Sequence, residues 1–417
     1  MHPVLFRVPV IGYEVPGYGL ALMIGFLLSI VWATRRAMKS GADPDVVLNC
    51  GFLALIGGVV GARVMYVWHY WEQYAHRGDF LAVVRAVIDV RQGGLEVYGG
   101  VIAVVVLVLG YLWWSKHSVR WYLDIMAPSA ALGMALGRVG CFLNGCCWGG
   151  TCDLPWAVQF PYGSPAEVRQ WSEGQPGAGL PEQLLFVAPG GMFIDGTGAI
   201  PIPREFLAMS VAELDALRKL GEQHAPKLKQ LETELAAATD PKQRAALEAE
   251  IQGLERQVNT ALQHSGGCAC RAPPLAALTQ MKKYDLDAAE LKALARQYPS
   301  LPVHPTQLYS SIALGLLAAL LSAVYWRRTR DGQVICVFLF IEPPTRWLIE
   351  ILRADNPVDT AGFTISQFLA LLLSLAGLLG LFALRRLPPR SPRARLWEPP
   401  DEDAPDDKKP AKGTASA

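Results

Sequence analysis

The sequence predicts an all-α integral membrane protein: seven transmembrane helices with a large outward-facing insertion that contains a helical hairpin. Three observations predict it. Only 18% of the residues are charged against 52% hydrophobic, where soluble chains carry about a quarter charged. The apolar residues gather into seven blocks, each close to the ~20 residues that cross ~30 Å of hydrocarbon. Basic residues flank the blocks in a pattern that the positive-inside rule turns into one consistent orientation. The net charge of +1 gives no reason to expect a nucleic-acid partner.

The blocks run in order as GYGLALMIGFLLSIVWA, NCGFLALIGGVVGARVMYVW, GGVIAVVVLVLGYLWW, LDIMAPSAALGMALGRVGCFL, QLYSSIALGLLAALLSAVYW, QVICVFLFIEPPTRWLIEIL and ISQFLALLLSLAGLLGLFAL. The first has no Lys-rich n-region or small-residue cleavage site before it, so it reads as a retained span. TRRAMK follows block 1, SKHSVR lies between blocks 3 and 4, RRTRDG between 5 and 6, and RRLPPRSPRAR after 7. If each block crosses once, all four basic flanks share one side, the cytoplasm, together with the C-terminus. The N-terminus, the insertion and the loop ADNPVDTAG then face outward.

The domain boundaries follow. Residues 1–150 hold four spans and a glycine-rich loop. Residues 151–303 form the insertion, Pro/Gly-rich at first and then, over about 205–264, a helical hairpin. Leu228, Leu231 and Leu235 make one apolar stripe and Leu247, Ile251, Leu254 and Val258 a second, with TDP stopping one helix and starting the next. Residues 304–386 hold the last three spans. Residues 387–417 have little to bury and are expected to be disordered.

Ionisable residues inside spans cost roughly 2.5–3.5 kcal/mol or more at the bilayer centre and mark function by default. Arg63, Arg138, Arg346 and Glu350 lie within blocks, and the topology puts all four in the outer half. Arg346 and Glu350, four apart, share a helix face and can pair. Three arginines against one carboxylate call for an anion, and guanidinium forks suit a lipid phosphate. The plainer reading is snorkelling anchors plus one structural ion pair. Nothing in the sequence implies a cofactor. Cys141, Cys146, Cys147 and Cys152 cluster after block 4, but C-x4-C-C-x4-C is not a usual zinc spacing. Packing or a disulfide is their expected state, with Cys152 and Cys268 or Cys270 able to close the insertion. No metal is expected.

At these residues the sequence resembles the prolipoprotein diacylglyceryl transferases. The resemblance rests on TRRA, GARVMYV, GGLEVYGGV, GRVGCFLNGCCWG, HPTQLY and RWLIEILR, which occur in family order over residues 1–150 and 301–385. It implies a seven-span bacterial inner-membrane enzyme. Such an enzyme transfers the diacylglyceryl group of phosphatidylglycerol to the lipobox cysteine of a preprolipoprotein signal peptide, releasing glycerol 1-phosphate. By position it implies catalytic roles for Arg138, Arg346, Glu350, His304 and Tyr98. It also implies phosphatidylglycerol contacts for Arg138, Arg63, Asn144, Tyr18, Gly99 and Gly100.

The sequence departs from the family pattern at the acid–base positions. Tyr98 stands where the family has histidine, Cys141 and Cys146 replace an asparagine and a glutamate, and Ser310 replaces another glutamate. A tyrosine, with a pKa near 10, is a poor base unless a cation depresses it. His69 and His304 are the alternative bases on the outer side. Two rival readings stay open: a related phospholipid-dependent transferase with a different acceptor, and a lipid-binding or transport protein. The repeat symmetry that a transporter would show is not visible in this sequence.

Overall fold

The structure is a computed structural model that describes residues 4–7, 14–75, 80–89, 94–187, 199–202, 281–354 and 365–397, with scattered positions between 219 and 253. A short antiparallel hairpin, β1 (Val4–Arg7) and β2 (Glu14–Pro16), leads into α1 (Gly17–Ser40). Then come α2 (Pro44–His69), the short α3 (Trp71–Ala75) and α4 (Phe80–Ile88), α5 (Val97–Trp114) and α6 (Val119–Asn144). The insertion contributes α7 (Pro165–Ser172), the strand pair β3 (Leu185–Val187) and β4 (Ala199–Pro201), and α8 (Ala288–Ala295). The chain returns through α9 (Thr306–Arg327), α10 (Gln333–Ile351) and α11 (Ile365–Leu384).

Helices α1, α2, α5, α6, α9 and α11 are long and apolar enough to cross a membrane. Among the described residues a further long helix, α10, carries Glu342, Arg346 and Glu350 together with Pro343 and Pro344. The outward faces of the bundle are apolar, with Phe52, Val64, Ile102, Leu316 and Leu371 all exposed. In water such a girdle would be an aggregation surface, whereas against lipid tails it is the expected exterior. The predicted all-α membrane architecture is therefore the observed one.

Local chemistry sets the helix ends. Asp43 caps α2 by accepting from Asp45 N, with Pro44 in the first turn. Gly41 (φ 69°) and Gly145 (φ 75°) close α1 and α6 in the left-handed conformation.

At the basic end of the bundle, two buried ions hold the helices together. Arg36 of α1 donates to Ile125 O (2.8 Å) and Ser129 Oγ (3.0 Å) of α6 and to Ser322 Oγ (3.3 Å) of α9. Asp124 of α6, fully buried, accepts from Gly332 N (2.8 Å) and Ile335 N (2.9 Å). It thus satisfies two of the first-turn N–H groups that α10 cannot satisfy itself. Around them Ala37, Leu112, Ile125 and Leu321 form a tightly packed core.

Helices α2 and α5 cross backbone to backbone. A Cβ at Gly99 would lie 2.2 Å from Met65 Cβ and 2.5 Å from Gly61 O, and one at Gly100 would lie 2.8 Å from Gly58 O. Only glycine permits that approach, the small-residue packing common between membrane helices.

Two expectations about the flanks meet the structure differently. The tail expected to be disordered from residue 387 is held as far as Trp397. Asp331 N donates to Pro389 O and Ser391 N donates to Asp331 Oδ2, both at 2.8 Å, and Trp397 N donates to Gly41 O at 2.8 Å. The Asp331 carboxylate and free loop groups at the basic end supply partners that composition does not reveal. Most of the predicted hairpin lies outside the described residues. Among the positions described, Leu231 is buried and Lys227 Nζ lies 3.0 Å from Glu250 Oε1, across the expected turn.

Candidate active site

The site forms where α6 ends. Gly145 turns the chain so that its own N–H and that of Cys146 both return to Cys141 O, at 3.0 and 3.2 Å. Two residues after Gly145, Cys147 also has a positive φ, 62°, a conformation that costs a non-glycine residue about 1–2 kcal/mol. The segment 302–307 holds it there. Thr306 Oγ1 donates to Cys147 O (2.6 Å) and Gln307 Nε2 to Cys146 O (2.7 Å). Further on, Gly149 N donates to His304 O, Gly150 N to Leu352 O, and Cys152 N to Pro302 O, at 2.8–3.0 Å. A Cβ at Gly149 would meet His304 Cβ at 2.6 Å. The glycine-rich loop is thus stitched to the start of α9 and the end of α10, and HPTQLY is largely the device that holds it.

This stitching shapes a pocket between α6, α9 and α10. Arg138, Cys147, Glu342, Arg346, Glu350 and Arg353 line it. Three guanidinium groups face two carboxylates here, so the pocket has surplus positive charge before any thiol ionises. The pairing that the i, i+4 spacing allowed between Arg346 and Glu350 is not formed. Instead Glu350, buried, lies 3.3 Å from Arg353. The reason is the strand-like contact of Arg353 with Gly149, which brings the arginine back over the helix end. Arg346 turns toward α11, where its Nη2 lies 3.4 Å from Ser366 Oγ. Ser366 in turn lies 3.0 Å from Tyr98 Oη.

The remaining predicted residues fall in different places. Tyr98 is outside the pocket wall but reaches Arg346 through Ser366. Tyr18 packs on α6, where a Cβ at Gly140 would meet its ring at 3.2 Å. Asn144 is the last residue of α6, half-buried beside the cysteine turn. Arg63 is buried and donates to Ala86 O, Val87 O, Asp89 O and Gly94 O at 2.7–3.0 Å. In this structure it caps the C-terminal end of α4 instead of lining the pocket. Gly99 and Gly100 sit in the α2–α5 crossing. His304 Nδ1 is 3.5 Å from Tyr309 Oη, which accepts from Trp156 Nε1 at 2.8 Å. His69 is exposed and stacks on Tyr70, 3.4 Å from Glu96. Neither histidine lines the pocket.

Sequence reasoning passed over Arg353, Glu342 and Ser366, and it grouped the cysteines but expected packing or a disulfide where the structure has free thiols. The first two had a signal, being charges in or beside a span. Ser366, one serine at the start of an apolar helix, had none.

The sulfur atoms of Cys141, Cys146 and Cys147 all lie within 4.8 Å of one another. Hydrogen bonds from Cys141 and Cys146, then the charges of Arg353 and Arg138, hold the Cys147 thiol below its usual range. Cys50 is buried and Cys336 packs against Gly380, as expected of apolar fillers. The expected partners of Cys152 lie outside the described residues.

The chain is similar to known proteins. The chain is 38% identical over 168 residues to the phosphatidylglycerol–prolipoprotein diacylglyceryl transferase of Rhodopirellula baltica, a match covering 40% of this chain and 34% of that protein. It is 34% identical over 167 residues to that of Pseudoalteromonas translucida, covering 40% and 60%. To that of Clostridium tetani it is 30% identical over 166 residues, covering 38% and 61%. The chain thus spans between a third and three fifths of the length of these curated relatives. The prolipoprotein diacylglyceryl transferase family profile matches residues 3–201 and 247–383. That match takes in α1, α2, α5, α6, α9, α10 and nearly all of α11, with the cysteine turn and the three pocket arginines, so the chain belongs to the prolipoprotein diacylglyceryl transferase family.

Proposed function

We propose that the chain transfers the diacylglyceryl group of phosphatidylglycerol to the lipobox cysteine of a prolipoprotein signal peptide and releases glycerol 1-phosphate. It does so in a bacterial inner membrane, with its N-terminus outside and its C-terminus in the cytoplasm. The observation that carries the reading is the pocket with Arg138, Arg346 and Arg353 on its wall, recessed among apolar helices. A phosphodiester there is held by charge-assisted bonds in a low dielectric, and the same groups stabilise the second negative charge that develops as the phosphate leaves. The acceptor sulfur attacks glycerol C3, and the C3–O bond breaks toward the phosphate.

Within this reading Tyr98 is a positioning residue that holds Arg346 through Ser366, and Glu350 fixes Arg353. His304 and Gln307 maintain the loop bearing Cys147. Tyr18, Asn144, Arg63, Gly99 and Gly100 support the lipid site from its margins. A second reading, the same lipid donor with a different acceptor, is favoured by Tyr98 in the position of the family histidine.

The test is purified protein with phosphatidylglycerol and a lipobox peptide, following peptide mass and glycerol phosphate together. The expected result is a diacylglyceryl mass gain matched by glycerol phosphate. Arg138→Ala and Arg346→Ala should each slow transfer about 10- to 150-fold, the ~1.5–3 kcal/mol of one bond to a charged group. Full transfer by both variants would overturn the arginine assignment. Lipid binding without transfer to the peptide would favour the second reading.

A further inference from the structure

We propose that Cys141, Cys146 and Cys147 form a trithiolate site for zinc, whose fourth coordination position takes the acceptor thiol; the second half rests on the transferase reading above. The three sulfurs lie within 4.8 Å of one another. Sulfurs bound at ~2.3 Å to a tetrahedral zinc stand ~3.8 Å apart, so side-chain rotation of about 1 Å closes the set. A disulfide would use two of the sulfurs and leave the third without a role. The backbone is built for convergence. The left-handed turn at Gly145 brings Cys146 back to Cys141, and Cys147 is held at φ 62° by the bonds of Thr306 and Gln307 to the two cysteine carbonyls. Three thiolates and Zn²⁺ leave one net negative charge, and Cys147 shares its pocket wall with Arg138 and Arg353, which offset it. Three protein ligands and one open position are the pattern of catalytic rather than structural zinc.

The site also supplies what the acid–base positions lack. A thiol that coordinates zinc is deprotonated outright, so the acceptor needs no histidine. Its proton passes to the Glu342 carboxylate on the pocket wall. The zinc-bound sulfur attacks glycerol C3 and forms the C–S bond. The C3–O bond breaks with its electron pair going to the phosphate oxygen, which leaves as a dianion beside the arginines. The resulting thioether is a weak ligand and dissociates, reopening the fourth position. No oxidant or reductant is involved.

The test uses the full chain in detergent, stripped with a chelator under reducing conditions and titrated with Zn²⁺ or with Co²⁺ as a spectroscopic stand-in. One ion per chain should bind. Cobalt should give thiolate charge-transfer and tetrahedral d–d bands, and zinc should protect three thiols from alkylation. Cys141→Ser and Cys147→Ser should lose the bands, while Cys152→Ser and Cys336→Ser keep them. Where a variant fails to fold, thiol protection in the unsubstituted protein reads the same site. Adding the lipobox peptide should shift the cobalt bands, and zinc should raise transfer at least tenfold over the stripped protein.

Absence of stoichiometric binding, or a disulfide among the three cysteines in protein isolated without reductant, overturns the site. Binding with transfer unchanged by stripping overturns its catalytic half and leaves the transferase reading standing. Binding with bands unmoved by peptide, and no transfer in either state, sinks the transferase reading and the acceptor role together but not the metal site.

Discussion

Replacing Ser366 by alanine removes a buried hydroxyl that stands between Tyr98 and Arg346. The structure sets the size of the effect. The Tyr98–Ser366 bond, 3.0 Å, is neutral and well formed, worth ~1 kcal/mol net. The Ser366–Arg346 contact, 3.4 Å, involves a charge but is long, which puts it at about 1 kcal/mol as well. If both serve to aim Arg346 at the transition state, Ser366→Ala loses ~2 kcal/mol and slows kcat/KM ~30-fold, whereas Tyr98→Phe loses only the first bond and slows it ~5-fold. The double variant loses nothing that Ser366→Ala has not already lost, so it should also be ~30-fold slower, a coupling of ~1 kcal/mol. The assay is the initial rate of diacylglyceryl transfer to a lipobox peptide by variants first checked for folding. A double variant ~150-fold slower, the product of the singles, would mean that the two residues act independently. The relay reading would then be wrong, and Tyr98 would have to act at the substrate directly.

Other perturbations test the scaffold. In the head, burial pushes the Glu167 carboxyl up to about 7, against the Gly163 N–H that favours its ionised form. Its neutral state is thus the one the fold prefers. That stabilisation, about 3 kcal/mol, is complete below the unfolded pKa of 4.5 and lost as pH rises through about 7. Glu167→Gln should flatten the fall in Tm between pH 5 and 8 seen in the parent, and parallel curves would refute the assignment. Gly99→Ala puts a Cβ 2.2 Å from Met65 Cβ and should destabilise by about 3 kcal/mol, at the upper end of overpacking costs. Gly110→Ala, with open space at its Cβ, should be neutral or gain up to ~1 kcal/mol. Equal Tm values for the two would refute the backbone-contact seam. Asp124→Ala strands two buried N–H groups at the start of α10 and should cost about 2–4 kcal/mol, with Asp124→Asn retaining part of it. Chemical denaturation of the detergent-solubilised protein reads both.

The sequence by itself determined the membrane architecture, because crossing hydrocarbon imposes length and hydropathy on every span regardless of its neighbours. Even α10, with Glu342, Arg346 and Glu350 inside it, was legible between its flanking charges. The arginines were legible too, since an ion in a span stands out against its background. What they touch was not. Arg63, Arg138 and Arg346 look alike in sequence, yet the first is occupied by four carbonyls of α4 and its following loop while the other two line a pocket. The difference lies in residues more than twenty positions away. Spacing likewise allowed Glu350 to pair with Arg346, and the return of Arg353 beside Gly149 took it instead. Ser366 matters only because α11 sets it between α5 and α10. The cysteines show the division most plainly. Their spacing matches no familiar ligand pattern, because spacing rules assume a regular helix or hairpin. Here a left-handed glycine turn and two side-chain bonds from α9 bring the sulfurs together, and only the tertiary structure contains both.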